Sequence, residues 1–95
     1  MVTLNEVVGK GNSERDIMLF TLSTCVWCKR TKKLLDNLGL SYKFIDVDTL
    51  SGQDKVEVMK EVKKFNPQCT FPTMVVDGSE CVVGFKEDQI KRIVT

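Results

Sequence analysis

Ninety-five residues, of which 42% are hydrophobic and 28% charged, have the balance of one globular domain and too little interior for two. Fourteen Lys and Arg against thirteen Asp and Glu leave a formal charge of +1, so the chain offers no field for nucleic acid or an anionic membrane. Histidine is absent, which excludes Ser–His–Asp hydrolysis, Cys–His nucleophile pairs and His-ligated metals; Cys25, Cys28, Cys69 and Cys81 are left as the main chemistry at neutral pH.

Residues 1–15 read as an N-terminal extension to a domain over 16–95. Val2, Leu4 and Val7 alternate as an added edge strand would, and Gly9-Lys10-Gly11-Asn12-Ser13 is a loop. The first twenty residues hold five charges and no apolar stretch leading to a cleavage site. No run approaches the ~20 apolar residues of a membrane span. A cytoplasmic location is therefore expected, with thiols kept for chemistry rather than spent on a disulfide scaffold.

Residues 17–22 form a near-continuous apolar run, the mark of a strand buried on both faces. After Ser23-Thr24 the apolar positions Trp27, Leu34, Leu35 and Leu38 recur at helical spacing with Thr31, and Gly39 supplies the stop. Residues 42–48 alternate as a second strand. Ser51, with Asp54 three positions on, predicts a capping-box start to a helix reaching about Lys64, its inner face carried by Val56, Met59, Val62 and Phe65. Asn66-Pro67 ends it. Residues 73–76 read as a third strand running into Asp77-Gly78, a hairpin signal that sets residues 81–83 antiparallel to it. Residues 87–94 close the chain as a helix with Ile90, Ile93 and Val94 inward. The order β-α-β-α-β-β-α gives an α/β fold with a mixed sheet, without repeats or a second domain.

The chemistry concentrates at Cys25-Val26-Trp27-Cys28, where the first strand hands over to the first helix. The i,i+3 spacing puts both sulfurs on one side of the first turn, near enough to close a disulfide ring. Unpaired N–H groups and the positive end of the helix dipole favour a thiolate there. Lys29 and Lys32 are the candidates for tuning it further. Thiols in such settings fall to roughly 3.5–7.5 from about 8.5, and Cys25, first in the helix, is expected to follow. Cys25 is then the nucleophile that attacks a substrate disulfide, and Cys28, one turn deeper, resolves the mixed disulfide. A zinc half-site has the same spacing, but Cys69 and Cys81 stand singly, twelve positions apart, and make no second knuckle, so no metal site is expected. A cluster shared between two chains is the remaining alternative. Trp27 would ordinarily be a core residue; between two cysteines it suits a partly exposed shelf for substrate.

Three motifs in order resemble a glutaredoxin over about residues 16–95: the strand–Cys-Val-Trp-Cys–helix unit, Thr70-Phe71-Pro72 before the third strand, and Gly84-Phe85 with Glu87-Asp88 before the last helix. The resemblance implies the thioredoxin fold, a four-stranded mixed sheet flanked by three helices. It implies a cis bond at Pro72 facing the cysteines and a Phe71 backbone that pairs with substrate. Trp27, Thr70, Phe71, Pro72, Gly84, Glu87 and Asp88 become the substrate-binding set. The implied activity is reduction of protein or mixed disulfides by a monomer with no tightly bound cofactor. Glutathione-using members usually carry Cys-Pro-Tyr-Cys, a lysine three residues before the first cysteine, and a Gly-Gly pair. Here those places hold Val26 and Trp27, Leu22, and Gly84-Phe85. Gly-Phe-Lys is closer to the glutaredoxin-like hydrogen donors of ribonucleotide reductase. Glutathione as co-substrate, a thioredoxin-reductase-type enzyme and a ferredoxin-linked reductase all stay open as electron donors. The alternative activity is a [2Fe–2S] carrier in which Cys25 of two chains and two glutathiones hold the cluster. Cys69, three residues before Pro72, and Cys81 read as reduced bystanders, against a second redox pair or a regulatory Cys69.

Overall fold

The computed structural model describes residues 5–7, 9 and 15–94. Its elements are β1 (Asn5–Val7), β2 (Ile17–Thr21), α1 (Val26–Asn37), β3 (Tyr42–Asp46), a 3-10 turn (Val47–Thr49), α2 (Gly52–Phe65), β4 (Thr73–Val76), β5 (Glu80–Val83) and α3 (Glu87–Val94). Val2 and Leu4 of the expected edge strand, and positions 10–13 of the loop after it, lie outside the described residues.

The five strands form one sheet in the order β1-β3-β2-β4-β5. β2 runs parallel to β3 (Leu19 opposite Phe44) and antiparallel to β4 (Leu19 opposite Met74), and β4 and β5 make the expected hairpin. β1 adds the extra antiparallel edge strand on β3. Asp77 (φ 54°) and Gly78 (φ 71°) both take the left-handed conformation within the three-residue connection 77–79, which the Ser79 N–H closes by donating to the Val76 carbonyl at 3.2 Å. Asp77 also accepts the Asp16 N–H at 2.8 Å and pairs with Arg15 at 3.0 Å, which ties the turn to the start of β2.

Alternation along β2 and β4 divides the interior in two. Ile17, Leu19, Met74 and Val76 pack with Leu35 of α1 and with Ile90 and Val94 of α3. Phe20 and Val75 face the other way, onto Val58 and Val62 of α2. The central strand is thus covered on both faces, as its apolar run predicts.

Three local expectations change. The second strand stops at Asp46 rather than residue 48, because the Thr49 hydroxyl donates to the Asp46 carbonyl at 2.7 Å and the chain turns in a 3-10 step that buries Val47. Ser51 is the N-cap of α2 but makes no side-chain capping bond, and the helix opens on Gly52 in a left-handed conformation (φ +58°) rather than the helical one a capping box is built on. The inner face of α2 is Val58 and Val62, with Met59 and Phe65 at its border, whereas Val56 is 49% exposed. Valine recurs at 56, 58 and 62, and only packing against the sheet selects which pair faces inward.

Candidate functional site

β2 delivers the chain to the front of α1 through a short loop that is tied down. The Ser23 N–H donates to one oxygen of the Asp48 carboxylate at 2.8 Å and its hydroxyl to the other at 2.5 Å. These bonds hold the Asp48 carboxyl below the usual carboxylate range. The Cys25 N–H then donates to the Leu22 carbonyl at 3.2 Å, and Cys25 becomes the N-cap of α1 with extended dihedrals (φ −83°, ψ 118°). Its sulfur takes the place usually held by a serine or aspartate oxygen: Sγ accepts the Cys28 N–H at 3.2 Å.

The two thiols are free and differ in setting. Cys25 is half-buried, whereas Cys28 has 0% of its surface exposed. Burial first, then the hydrogen bond to Cys25, pushes the Cys28 thiol up to about 12, and a hydrogen bond with the Leu22 backbone and, less, the charge of Lys32 oppose this. That lysine is half-buried. Its ammonium lies 3.4 Å from the Asp46 carboxylate and 3.7 Å from the centre of the Phe44 ring, so most of its charge is answered on β3. Lys29 points to solvent from the outside of α1.

Trp27, 53% exposed, forms one wall of a groove of about 210 Å³ whose other walls are Phe71, Pro72, Gly84 and Phe85. Its indole stacks on Phe85 (centroids 6.0 Å apart, planes at 25°), and the Arg30 guanidinium lies 4.9 Å from the indole centroid. The Phe71–Pro72 bond is cis, and the Gly84 N–H donates to the Pro72 carbonyl at 2.8 Å, fixing the start of β4 against the end of β5. Of the substrate-binding set, then, Trp27, Phe71, Pro72 and Gly84 come together. Thr70 sits beside the groove with its polar atoms turned to Asn66. Glu87 and Asp88 lie in the exposed first turn of α3 outside the groove walls, and Glu87 pairs with Lys91 at 3.2 Å.

Asn66 and Phe85 shape the candidate site without belonging to the substrate-binding set expected from the sequence, where Phe85 figures only as a motif departure and Asn66 only as a helix end. Asn66 is only 3% exposed; its Nδ2 sits 3.0 Å from both the carbonyl oxygen and the hydroxyl of Thr70 and 3.1 Å from the Thr73 hydroxyl. Its Oδ1 accepts the Gln68 N–H at 3.2 Å. One amide therefore shapes the whole loop that ends in the cis bond. A helix-ending asparagine before proline is its sole sequence signal. Phe85 stands where the resemblance puts a second glycine, and the geometry makes it a groove wall. Cys81 is half-buried on β5, where burial raises its thiol. Cys69 (φ 53°) lines a separate cavity beside α2. Among the described residues no three Cys, Asp or Glu side chains cluster to hold a metal, and no helix is long and apolar enough to cross a membrane.

A family model described as Glutaredoxin matches residues 17–81. A glutaredoxin of Ricinus communis is 33% identical over 66 residues, covering 70% of this chain and 63% of that protein. Among solved structures, the methanoredoxin of Methanosarcina acetivorans is 44% identical, with a TM-score of 0.80 over 83% of each chain. A glutaredoxin from Methanosarcina mazei Go1 is 42% identical, with a TM-score of 0.82 over 94% of this chain and 84% of its own.

Proposed function

This chain belongs to the glutaredoxin family, and from that premise we propose that it reduces protein and mixed disulfides through Cys25 and Cys28. One observation carries the assignment: an accessible sulfur caps α1 and accepts the N–H of a second, wholly buried cysteine one turn below.

The chemistry follows from that difference in burial. Cys25, as thiolate, attacks one sulfur of the substrate disulfide. The substrate S–S bond breaks, a Cys25–substrate disulfide forms, and the leaving sulfur takes a proton. Cys28 stays protonated through this step, because burial holds its thiol up at about 12. Once Cys25 is tied up in the mixed disulfide, its sulfur carries no charge, and one of the causes that kept the Cys28 proton in place is gone. Burial then stands against the Leu22 backbone hydrogen bond and the weaker Lys32 charge, both of which favour the thiolate. Cys28 gives up its proton and attacks Cys25 Sγ, which frees the second product thiol and leaves a Cys25–Cys28 disulfide. Two electrons have passed to the substrate, and an external thiol or a flavoenzyme dithiol restores the pair.

Trp27, Phe71, Pro72 and Gly84 hold the residues flanking the substrate disulfide, and the stacked Phe85 makes the groove suited to apolar neighbours. Thr70 contributes through the loop it anchors, and Glu87 and Asp88 provide negative charge beyond the groove. Lys29 and Lys32 supply positive charge around α1.

Cys25→Ser is expected to abolish reduction of hydroxyethyl disulfide. Cys28→Ser is expected to accumulate a mixed disulfide, seen as added mass on the intact protein. Equal residual turnover in the two variants would overturn the roles. Turnover coupled to glutathione, set against turnover coupled to a thioredoxin-reductase-type flavoenzyme, assigns the donor.

A further inference from the structure

α2 presents a face that the fold leaves unused. Gly52, Lys55, Val56, Met59, Lys60 and Lys63 fall at i, i+3, i+4, i+7, i+8 and i+11, which is one stripe of a helix. With Cys69 from the following loop, this stripe lines a cavity of about 360 Å³. Its floor is apolar (Val56, Met59, Cys69), its rim is lysine, and no acidic side chain lines it. Lys55 is within reach of the Asp48 charge, but Lys60 and Lys63 have no ion pair among the described residues. Glu61 pairs with Lys64 at 2.9 Å, and Glu57 and Glu61 line a neighbouring cavity that they share with Lys60. An exposed valine and a half-buried methionine bordered by three lysines fit an apolar side chain flanked by carboxylates.

Continuity with the groove says whose side chain that is. Cys69 lines the cavity, and two residues later Phe71 and Pro72 line the redox groove. Phe71, Cys69 and Met59 also pack against one cluster of buried residues. At about 3.3 Å per extended residue, a segment of about four residues spans the stretch 69–72. A protein substrate with its disulfide at Cys25 can therefore lay its next residues over the stripe.

We propose that this face of α2 is a second docking surface for protein substrates, and that it selects a segment with an apolar anchor between Asp or Glu residues. The inference rests on the reductase assignment and adds substrate selection to it.

Two synthetic peptides with the same disulfide core, one extended by a leucine flanked by Asp and Glu and the other by a leucine flanked by Lys, provide the test. Wild-type kcat/KM is expected to be about five- to tenfold higher for the acidic peptide, the size that two exposed charge pairs can give. The preference should fade in 0.5 M salt. K60E/K63E is expected to reverse it, and K60Q/K63Q to erase it, both with unchanged hydroxyethyl disulfide turnover. The same acidic extension on a disulfide-free peptide is expected to shift the NMR signals of the Val56 and Met59 methyls. A ratio near one in the wild type, or one that survives charge reversal, overturns the docking surface. Failure to reduce either peptide or hydroxyethyl disulfide overturns the reductase assignment instead, and the methyl shifts still decide the surface.

Discussion

Cys28 and Asn66 are both buried polar residues, and each matters through what its burial does to a neighbour. Cys28 has no exposed surface and burial raises its thiol, and the proposed order of attack rests on that difference from Cys25. Asn66 supplies donors to a loop that has no regular structure to satisfy it. Asn66→Ala is expected to cost about 1–2 kcal/mol, at the lower end for a buried group left unpaired, because the Thr73 hydroxyl keeps its bond to the Thr70 carbonyl at 2.7 Å. The same variant is expected to raise KM for a disulfide peptide more than it lowers kcat, with the alkylation rate of Cys25 unchanged. Thermal melts and steady-state kinetics check both. A fall in kcat alone would remove Asn66 from a positioning role. Cys25 and Cys28 were legible from their spacing and from the strand that precedes them, because i,i+3 on a helix is a geometric statement. Asn66 was not, since a lone polar residue says nothing about its own burial.

At the scale of elements, α1 is aimed by what lies in front of it. The Ser23–Asp48 clamp joins the loop before Cys25 to the turn after β3, so the early end of β3 has a consequence for the site. The Asp48 carboxyl is held low in the fold, mainly by the Ser23 hydroxyl and then by its N–H. A depressed carboxylate contributes stability above the ordinary carboxylate range and loses it as pH falls through its folded value. Asp48→Asn is therefore expected to show a shallower acid decline in urea midpoint than the wild type, by a small margin because the group is exposed. Parallel declines would show that the clamp has no energetic weight. α2 illustrates the limit of periodicity: Val56, Val58 and Val62 make more than one apolar stripe, and the sheet beneath chooses Val58 and Val62. The valine left outside is the one that gives the docking surface its floor.

Across the whole molecule, β2 and β4 separate two cores, and the site forms where the front of α1, the start of β4 and the end of β5 meet at one end of the sheet. Burial on this scale also sets the alkaline limit of the fold. Cys28 rises from its ordinary 9.0 to about 12, and Tyr42 is raised by burial and by the neighbouring Asp36 carboxylate. Both hold their protons more tightly folded than unfolded. Their contribution is complete below about pH 9 and is lost as pH rises through the folded values. The urea midpoint is expected to fall between about pH 9 and 12, and less steeply in Cys28→Ala. An unchanged slope in that variant would mean the thiol does not titrate with the fold.

The sequence by itself determined the order of elements, the hairpin at Asp77-Gly78, the absence of histidine chemistry and the placing of the cysteine pair at a helix start. Each of these is a local matter of spacing, backbone preference or side-chain chemistry. Only the tertiary structure decided that Cys28 is sealed while Trp27 is open, that Phe85 walls the groove, that Asn66 shapes the loop before β4, and that Val56 faces outward. Those facts depend on which surfaces meet when residues far apart in the chain pack together, and no spacing along the chain carries that information.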